Sequence, residues 1–228
     1  MSGSAPPVAR ILDRLEKHYG KLKPVTPLDP YAMVIYANCG YPANDSTCAK
    51  GFEALQKRVG IRPDQILAAS DKELTAILRL GGIVPELRAT RLKEIAARVQ
   101  RKYAGDLAAA LRGPWSDAKK ALKGFPTIGD PGAEKILLFT RTAPLAAVPS
   151  NCVHVPLRLG WGEAHKSYAA DYRSAQEALG EALPEDCDAR LRAYLLLQRH
   201  GQELCKRSRP RCEVCPVTSD CRYYQATH

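Results

Sequence analysis

The amino-acid sequence predicts an all-α protein. Apolar residues recur at the three-and-four spacing of helices that bury one face, and no segment sustains the apolar–polar alternation of a half-buried strand. Proline, Asp and Ser stand where helices should start, and glycine where they should stop. With 228 residues, 45% of them hydrophobic, the chain can fill one large or two small cores without disulfide staples.

Over 7–19 the stripe Val8, Ile11, Leu12, Leu15 and Tyr19 marks an amphipathic helix ended by Gly20. Asp29-Pro30 joins an N-cap to a proline at the first helical position and opens a buried helix through the apolar run 31–37. After the breaker-rich stretch 40–44, a helix runs from 45 to about 59 through Cys48, Phe52 and Leu55. A short helix over 63–69 follows Arg62-Pro63, and Ser70-Asp-Lys-Glu73 is a capping box for a helix that Gly81-Gly82 breaks. The long helix from about 85 to 103 is expected to turn Leu87, Leu92, Ile95, Ala96 and Val99 inward. Arg88, Arg91, Lys93, Arg98 and Arg101 should then form a solvated basic face. Short helices follow near 106–111 and 116–123, and longer ones near 167–179 and 187–204.

Phe125-Pro-Thr-Ile-Gly129-Asp-Pro131 reads as a helix end, a tight hairpin over 126–129 and a proline-launched helix toward Phe139. N–H groups at such a helix start lack partners and suit a phosphate oxygen, which makes Thr127, Ile128, Gly129 and Gly132 candidate contacts. A plain helix-turn-helix corner would carry the same signal.

Near the C-terminus Cys205, Cys212, Cys215 and Cys221 are separated by six, two and five residues. Thiols packed this closely read as a ligand set rather than disulfides if the compartment is reducing. One Cys-x2-Cys knuckle with wider flanks is unlike the paired knuckles of a zinc ribbon, and four thiolates also suit a [4Fe–4S] cube; spacing alone leaves both open. Cys39, Cys48, Cys152 and Cys187 are scattered and read as core or free thiols.

Lys and Arg outnumber Asp and Glu by 34 to 24, a formal charge of +10 that suits a polyanionic partner. The charge concentrates at Lys206, Arg207, Arg209 and Arg211, with no acid among them, in a loop flanked by cysteines. Phosphate binding is the functional reading and a solvated charge run the bland one. The first residues have no apolar core of a signal peptide, and no apolar run approaches the ~18 residues of a membrane span, so an intracellular protein that avoids membranes is expected.

His200-Gly201-Gln-Glu-Leu-Cys205, Pro210-Arg211-Cys212 and Cys215-Pro216 together resemble the iron–sulfur loop of the endonuclease III family of DNA glycosylases. The hairpin resembles that family's helix-hairpin-helix, Leu-Pro-Gly-x-Gly, with Thr127 in place of the first glycine. Residues 148–161 resemble the family segment that ends in Arg-Leu-Gly-Trp. The resemblance spans about 28–221, strongest over the last hundred residues. It implies a two-lobed fold: a six-helix barrel lobe with the helix-hairpin-helix at 28–142, and an iron–sulfur cluster lobe formed by 1–27 and 143–228. It also implies a [4Fe–4S] cluster on Cys205, Cys212, Cys215 and Cys221. The partner would be damaged double-stranded DNA, bound by a nucleoid-associated cytoplasmic monomer that flips a base into the cleft between the lobes. Family base pockets draw on loops such as 39–45.

The resemblance also exposes what is missing. Where the family carries a catalytic aspartate this chain has Pro149, and where bifunctional members carry a lysine nucleophile it has Pro131. Oxocarbenium character on the sugar then lacks its carboxylate, and a Schiff base lacks its amine. Lys135, one helical turn beyond Pro131, and Asp130 on the hairpin are the substitute candidates; a salt-bridge lysine and a helix-capping carboxylate are their structural readings. His154 and His165 have no evident partner in the sequence. Two functions stay open, a monofunctional glycosylase with a non-standard residue set and a catalytically inactive protein that binds lesions or DNA structures; a third, a zinc-dependent protein-interaction module, survives only if the cysteines hold zinc instead of a cluster.

Overall fold

The computed structural model describes residues 6–40 and 45–227, and among these there are helices and turns but no strand. The chain divides into two compact units, Met1–Pro24 with Ala143–His228, and Val25–Thr142. α1 (Val8–Tyr19) belongs to the first. It buries Val8, Ile11, Leu12 and Leu15 of the predicted stripe, leaves Tyr19 half-buried, and ends where Gly20 takes a positive φ of 75°.

The second unit runs from α2 to α9. α2 (Pro30–Gly40) starts where the Asp29 carboxylate accepts from the N–H of Ala32 at 2.8 Å, and it is buried on nearly every side. α3 (Asp45–Arg58), α4 (Pro63–Ala68) and α5 (Asp71–Leu78) follow; Ser70 caps α5 by accepting from the N–H of Glu73 at 3.2 Å. α6 (Pro85–Tyr103) packs on α4 and α5 and buries Leu92, Ile95, Ala96 and Val99. α7 (Leu107–Ala110), α8 (Trp115–Lys123) and α9 (Asp130–Phe139) complete the unit.

The start of α6 corrects the helical-wheel reading. Leu87 faces out, 46% exposed, whereas Arg88 is turned inward and only 2% exposed. Its guanidinium donates to the carbonyls of Cys39 and Gly81 from Nη1 and of Gly40 from Nη2. Those carbonyls lie at the last turn of α2 and in the 3-10 turn after α5, where helix ends leave acceptors without internal partners. A five-donor fork satisfies several at once, so the local need for hydrogen bonds outweighs the usual cost of burying a charge. Gly81 has room for nothing larger, since a Cβ there would sit 1.7 Å from the Cys39 carbonyl oxygen.

The first unit resumes with a 3-10 turn at Ser150–Cys152 and α10 (His154–Leu159), then α11 (Tyr168–Ala182), α12 (Cys187–Glu203) and α13 (Arg222–Thr227). Ser167 and Asp186 cap α11 and α12 with their side chains. The core joins Ile11, Leu12 and Leu15 of α1 to Leu196 and Leu197 of α12, with Val148 and Trp161. Each such aliphatic side chain taken from water contributes about 1.5–3 kcal/mol. Polar ties reinforce the return of the chain: Arg192 pairs with Asp13 and Glu16, and Arg10 and Arg14 pair with Asp220 beside Cys221. Cys39, Cys48 and Cys152 are buried and form no disulfide, and Cys187 is half-buried. No described helix is long and apolar enough to cross a membrane.

Candidate functional site

Two regions, one in each unit, carry the residues singled out above. In the second unit the hairpin between α8 and α9 turns on Thr127, whose φ of +64° lies in the left-handed region. A β-branched residue is strained there, which is why glycine is the usual occupant. The Thr127 hydroxyl gains nothing in return, because Oγ1 is buried without a hydrogen-bond partner. Asn38 of α2 braces the turn by donating to the Pro126 carbonyl at 3.1 Å. Ile128 is buried and its N–H closes the turn onto the Phe125 carbonyl at 3.3 Å, so it does not face outward as a donor. Gly129 is the N-cap of α9, and the first-turn N–H groups of Asp130 and Gly132 have no partner within the helix. Pro131 has no N–H to offer.

Asp130 does not cap α9. Its carboxylate is held by Lys123, 2.9 Å from each oxygen, and by Lys119 at 3.2 Å. The hydrogen bond from Lys123, with help from Lys119, keeps the Asp130 carboxyl below the usual carboxylate range despite some desolvation. Lys119 also pairs at 2.5 Å with Glu134, which is 3% exposed. Burial works against the charge on Lys119, but its bonds to Glu134 and Asp130 outweigh that and raise it above the ordinary lysine value. Lys135 lies on α9 with Nζ 5.2 Å from the Phe139 ring centroid, a cation–π contact.

In the first unit Cys205, Cys212, Cys215 and Cys221 all line one small, partly open space, with Leu159 and Leu204 among its walls. Among the described residues no group of His, Cys, Asp or Glu closes into a single-ion site. Burial pushes the Cys205 thiol above its ordinary value and the Cys215 thiol up to about 11. Arg158 of α10 donates to the Cys205 sulfur at 3.5 Å and to the carbonyls of Lys206 and Arg207 at 2.9 and 2.7 Å. It also stacks on Tyr223 at 4.6 Å. One guanidinium thus fixes the backbone of the basic loop while Lys206, Arg207, Arg209 and Arg211 point to solvent.

His154 is half-buried with Nε2 2.7 Å from the Cys205 carbonyl oxygen, and burial holds its ring below the ordinary histidine value. Its role is to seat the loop. His165 is exposed, and its backbone N–H donates to Asp171. Pro149 is buried at the start of the 3-10 turn that precedes α10. Residues 41–44, within the expected base-pocket loop, fall outside the described residues.

Sequence reasoning placed Tyr19 in an apolar stripe and Arg158 and His200 within family-like segments, but gave none of the three a role at the cysteines. His200 is 2% exposed, and burial pushes its imidazole down to about 4. Its Nδ1 lies 3.0 Å from the Tyr19 hydroxyl and its Nε2 3.7 Å from the Cys215 sulfur. The one sequence signal was the histidine five residues ahead of the first clustered cysteine.

The architecture is that of an all-helical, two-unit helix-hairpin-helix protein. An endonuclease III in a trapped covalent DNA intermediate superposes with a TM-score of 0.76 over 96% of this chain and 96% of its own, at 20% identity. The chain therefore resembles the endonuclease III-like DNA glycosylases and has their fold. A thymine/uracil-DNA glycosylase of Pyrobaculum aerophilum is 24% identical over 164 residues, 72% of this chain and 67% of that protein. The transcriptional activator DEMETER of Arabidopsis thaliana is 24% identical over 177 residues, but the match spans only 9% of its length. No family model matches the chain.

Proposed function

We propose that this chain is a base-excision-repair protein that binds damaged double-stranded DNA as a monomer and carries a [4Fe–4S] cluster. The observation that supports this most is the convergence of four cysteines on one partly enclosed space in a fold shared with endonuclease III. Cys205, Cys212, Cys215 and Cys221 would hold the cube, whose four thiolates surround a volume rather than a point. Held by these four thiolates, a cluster would cross-link the loop and restrict its motion. Arg158 fixes the same loop from the α10 side, so Lys206, Arg207, Arg209 and Arg211 meet DNA phosphates from a preset backbone.

The hairpin would take a second phosphate on the N–H groups of Gly129, Asp130 and Gly132. An acid at that position would repel the backbone, and the two lysines from α8 offset it. Recognition proceeds by extruding the damaged base, at a cost of a few kcal/mol that is lower for damaged or mispaired bases.

The chemistry is narrower than that of bifunctional relatives. Pro131 supplies no amine for a Schiff base, so no lyase step runs through that position. Pro149 supplies no carboxylate against oxocarbenium charge, and excision is confined to bases that leave readily, such as alkylated bases carrying a positive charge. Asp130 and Lys135 were the substitute candidates; Asp130 is already engaged by two lysines and Lys135 sits against Phe139. That engagement favours the second reading, lesion binding without cleavage, for neutral bases.

The test is a panel of lesion-bearing duplexes assayed for binding, base release and borohydride-trapped adducts, with iron counted in parallel. We expect about four irons per chain, salt-sensitive binding, no trapped adduct, and release limited to labile bases that increases in Pro149→Asp. Stoichiometric zinc alone would remove the cluster from this reading, and an adduct abolished by Lys135→Ala would show a rebuilt active site.

A further inference from the structure

The proposed cluster ligands are not equivalent in their surroundings. Cys205 faces the guanidinium of Arg158, whereas Cys215 faces the imidazole of His200, Nε2 to sulfur 3.7 Å. A thiolate bound to iron can only accept a hydrogen bond, so a favourable contact requires the proton to be on Nε2. A neutral imidazole with its proton on Nε2 has a bare Nδ1, which needs a donor. The Tyr19 hydroxyl is 3.0 Å from that nitrogen, at the C-terminal end of α1. The ring of His200 is 2% exposed, so water does not compete for either nitrogen.

We propose that Tyr19 is a positioning residue for the metal centre. By donating to Nδ1 it locks His200 in the tautomer whose Nε2–H points at the Cys215 sulfur, and that hydrogen bond tunes the electron density on one cluster ligand. The inference rests on the cluster reading above. Hydrogen bonds to the ligating sulfurs are among the factors that set an iron–sulfur reduction potential, because they favour the more negative, reduced state. The arrangement also ties the potential to the packing of α1, a segment remote in sequence from the cysteines.

The experiment uses the full chain, purified without oxygen. Iron content and visible absorbance come first, then the reduction potential by protein-film voltammetry for the wild type, Tyr19→Phe, His200→Gln and the double variant. Tyr19→Phe should keep its iron and shift to lower potential, with the redox equilibrium changed by up to about tenfold, ~59 mV for one electron. His200→Gln retains an amide N–H with no tautomer to choose, so adding Tyr19→Phe to it should change nothing further. An intact cluster with an unchanged potential in Tyr19→Phe overturns the inference and leaves the cluster reading standing. Iron-free wild type overturns both. Should the phenylalanine variant lose its cluster, selective 15N labelling of histidine in the wild type decides. A proton on Nε2 of His200 supports the relay, and one on Nδ1 sinks it.

Discussion

Arg88 donates from Nη1 to the Gly81 carbonyl oxygen at 2.5 Å, from a side chain that a helical wheel assigns to solvent. The same guanidinium reaches Cys39 and Gly40, so three backbone acceptors depend on one residue. Arg88→Met keeps much of the volume but removes every donor. An orphaned buried acceptor costs about 1–3 kcal/mol, and we expect a loss of about 3 kcal/mol or more, seen as a lower urea midpoint. A variant within about 0.5 kcal/mol of wild type would show that the carbonyls find other partners.

Thr127→Gly should stabilise the protein. Left-handed backbone costs an L-residue about 1–2 kcal/mol, and glycine's greater freedom when unfolded returns about 0.5–1 kcal/mol of that. The buried hydroxyl forms no hydrogen bond whose loss would offset the gain. A net gain of up to about 1 kcal/mol should raise the thermal midpoint by a few degrees. A lower midpoint would mean the threonine makes a contact worth more than its strain.

The acid titration of Asp130 should report the α8–α9 clamp. Its folded carboxyl lies below the ordinary carboxylate range, so the unfolded state binds the proton more readily. The stabilisation is therefore fully present above pH ~4 and lost as pH falls through the folded value. The side chain is 49% exposed, which limits the contribution to under about 1 kcal/mol. In Lys123→Met the Asp130 midpoint, followed by carboxyl-carbon NMR, should move up, and an unmoved midpoint would assign the shift elsewhere.

Binding to duplex DNA should weaken steeply with salt and depend little on sequence. Each phosphate contact contributes roughly 0.9 to the slope of log K against log salt, so Arg207→Ala with Arg209→Ala should flatten it by up to about 1.8. The unmutated slope in the double variant would place the DNA away from this loop.

The sequence alone determined the helical class, most helix starts, the cysteine set and the presence of Pro131 and Pro149 in the two segments that resemble family motifs. These are local: caps, prolines and apolar spacing act within one or two helical turns, and four cysteines confined to seventeen residues need no distant partner to be recognised as a set. The structure decided which face of α6 turns inward, because Arg88 answers carbonyls on two other elements that no periodicity encodes. It decided that Asp130 pairs with lysines instead of capping its helix, and that Thr127 accepts a glycine conformation. Tyr19, His200 and Cys215 meet only once α1 packs on α12, since hydrogen bonds between residues far apart in the chain exist only after the core has closed around them.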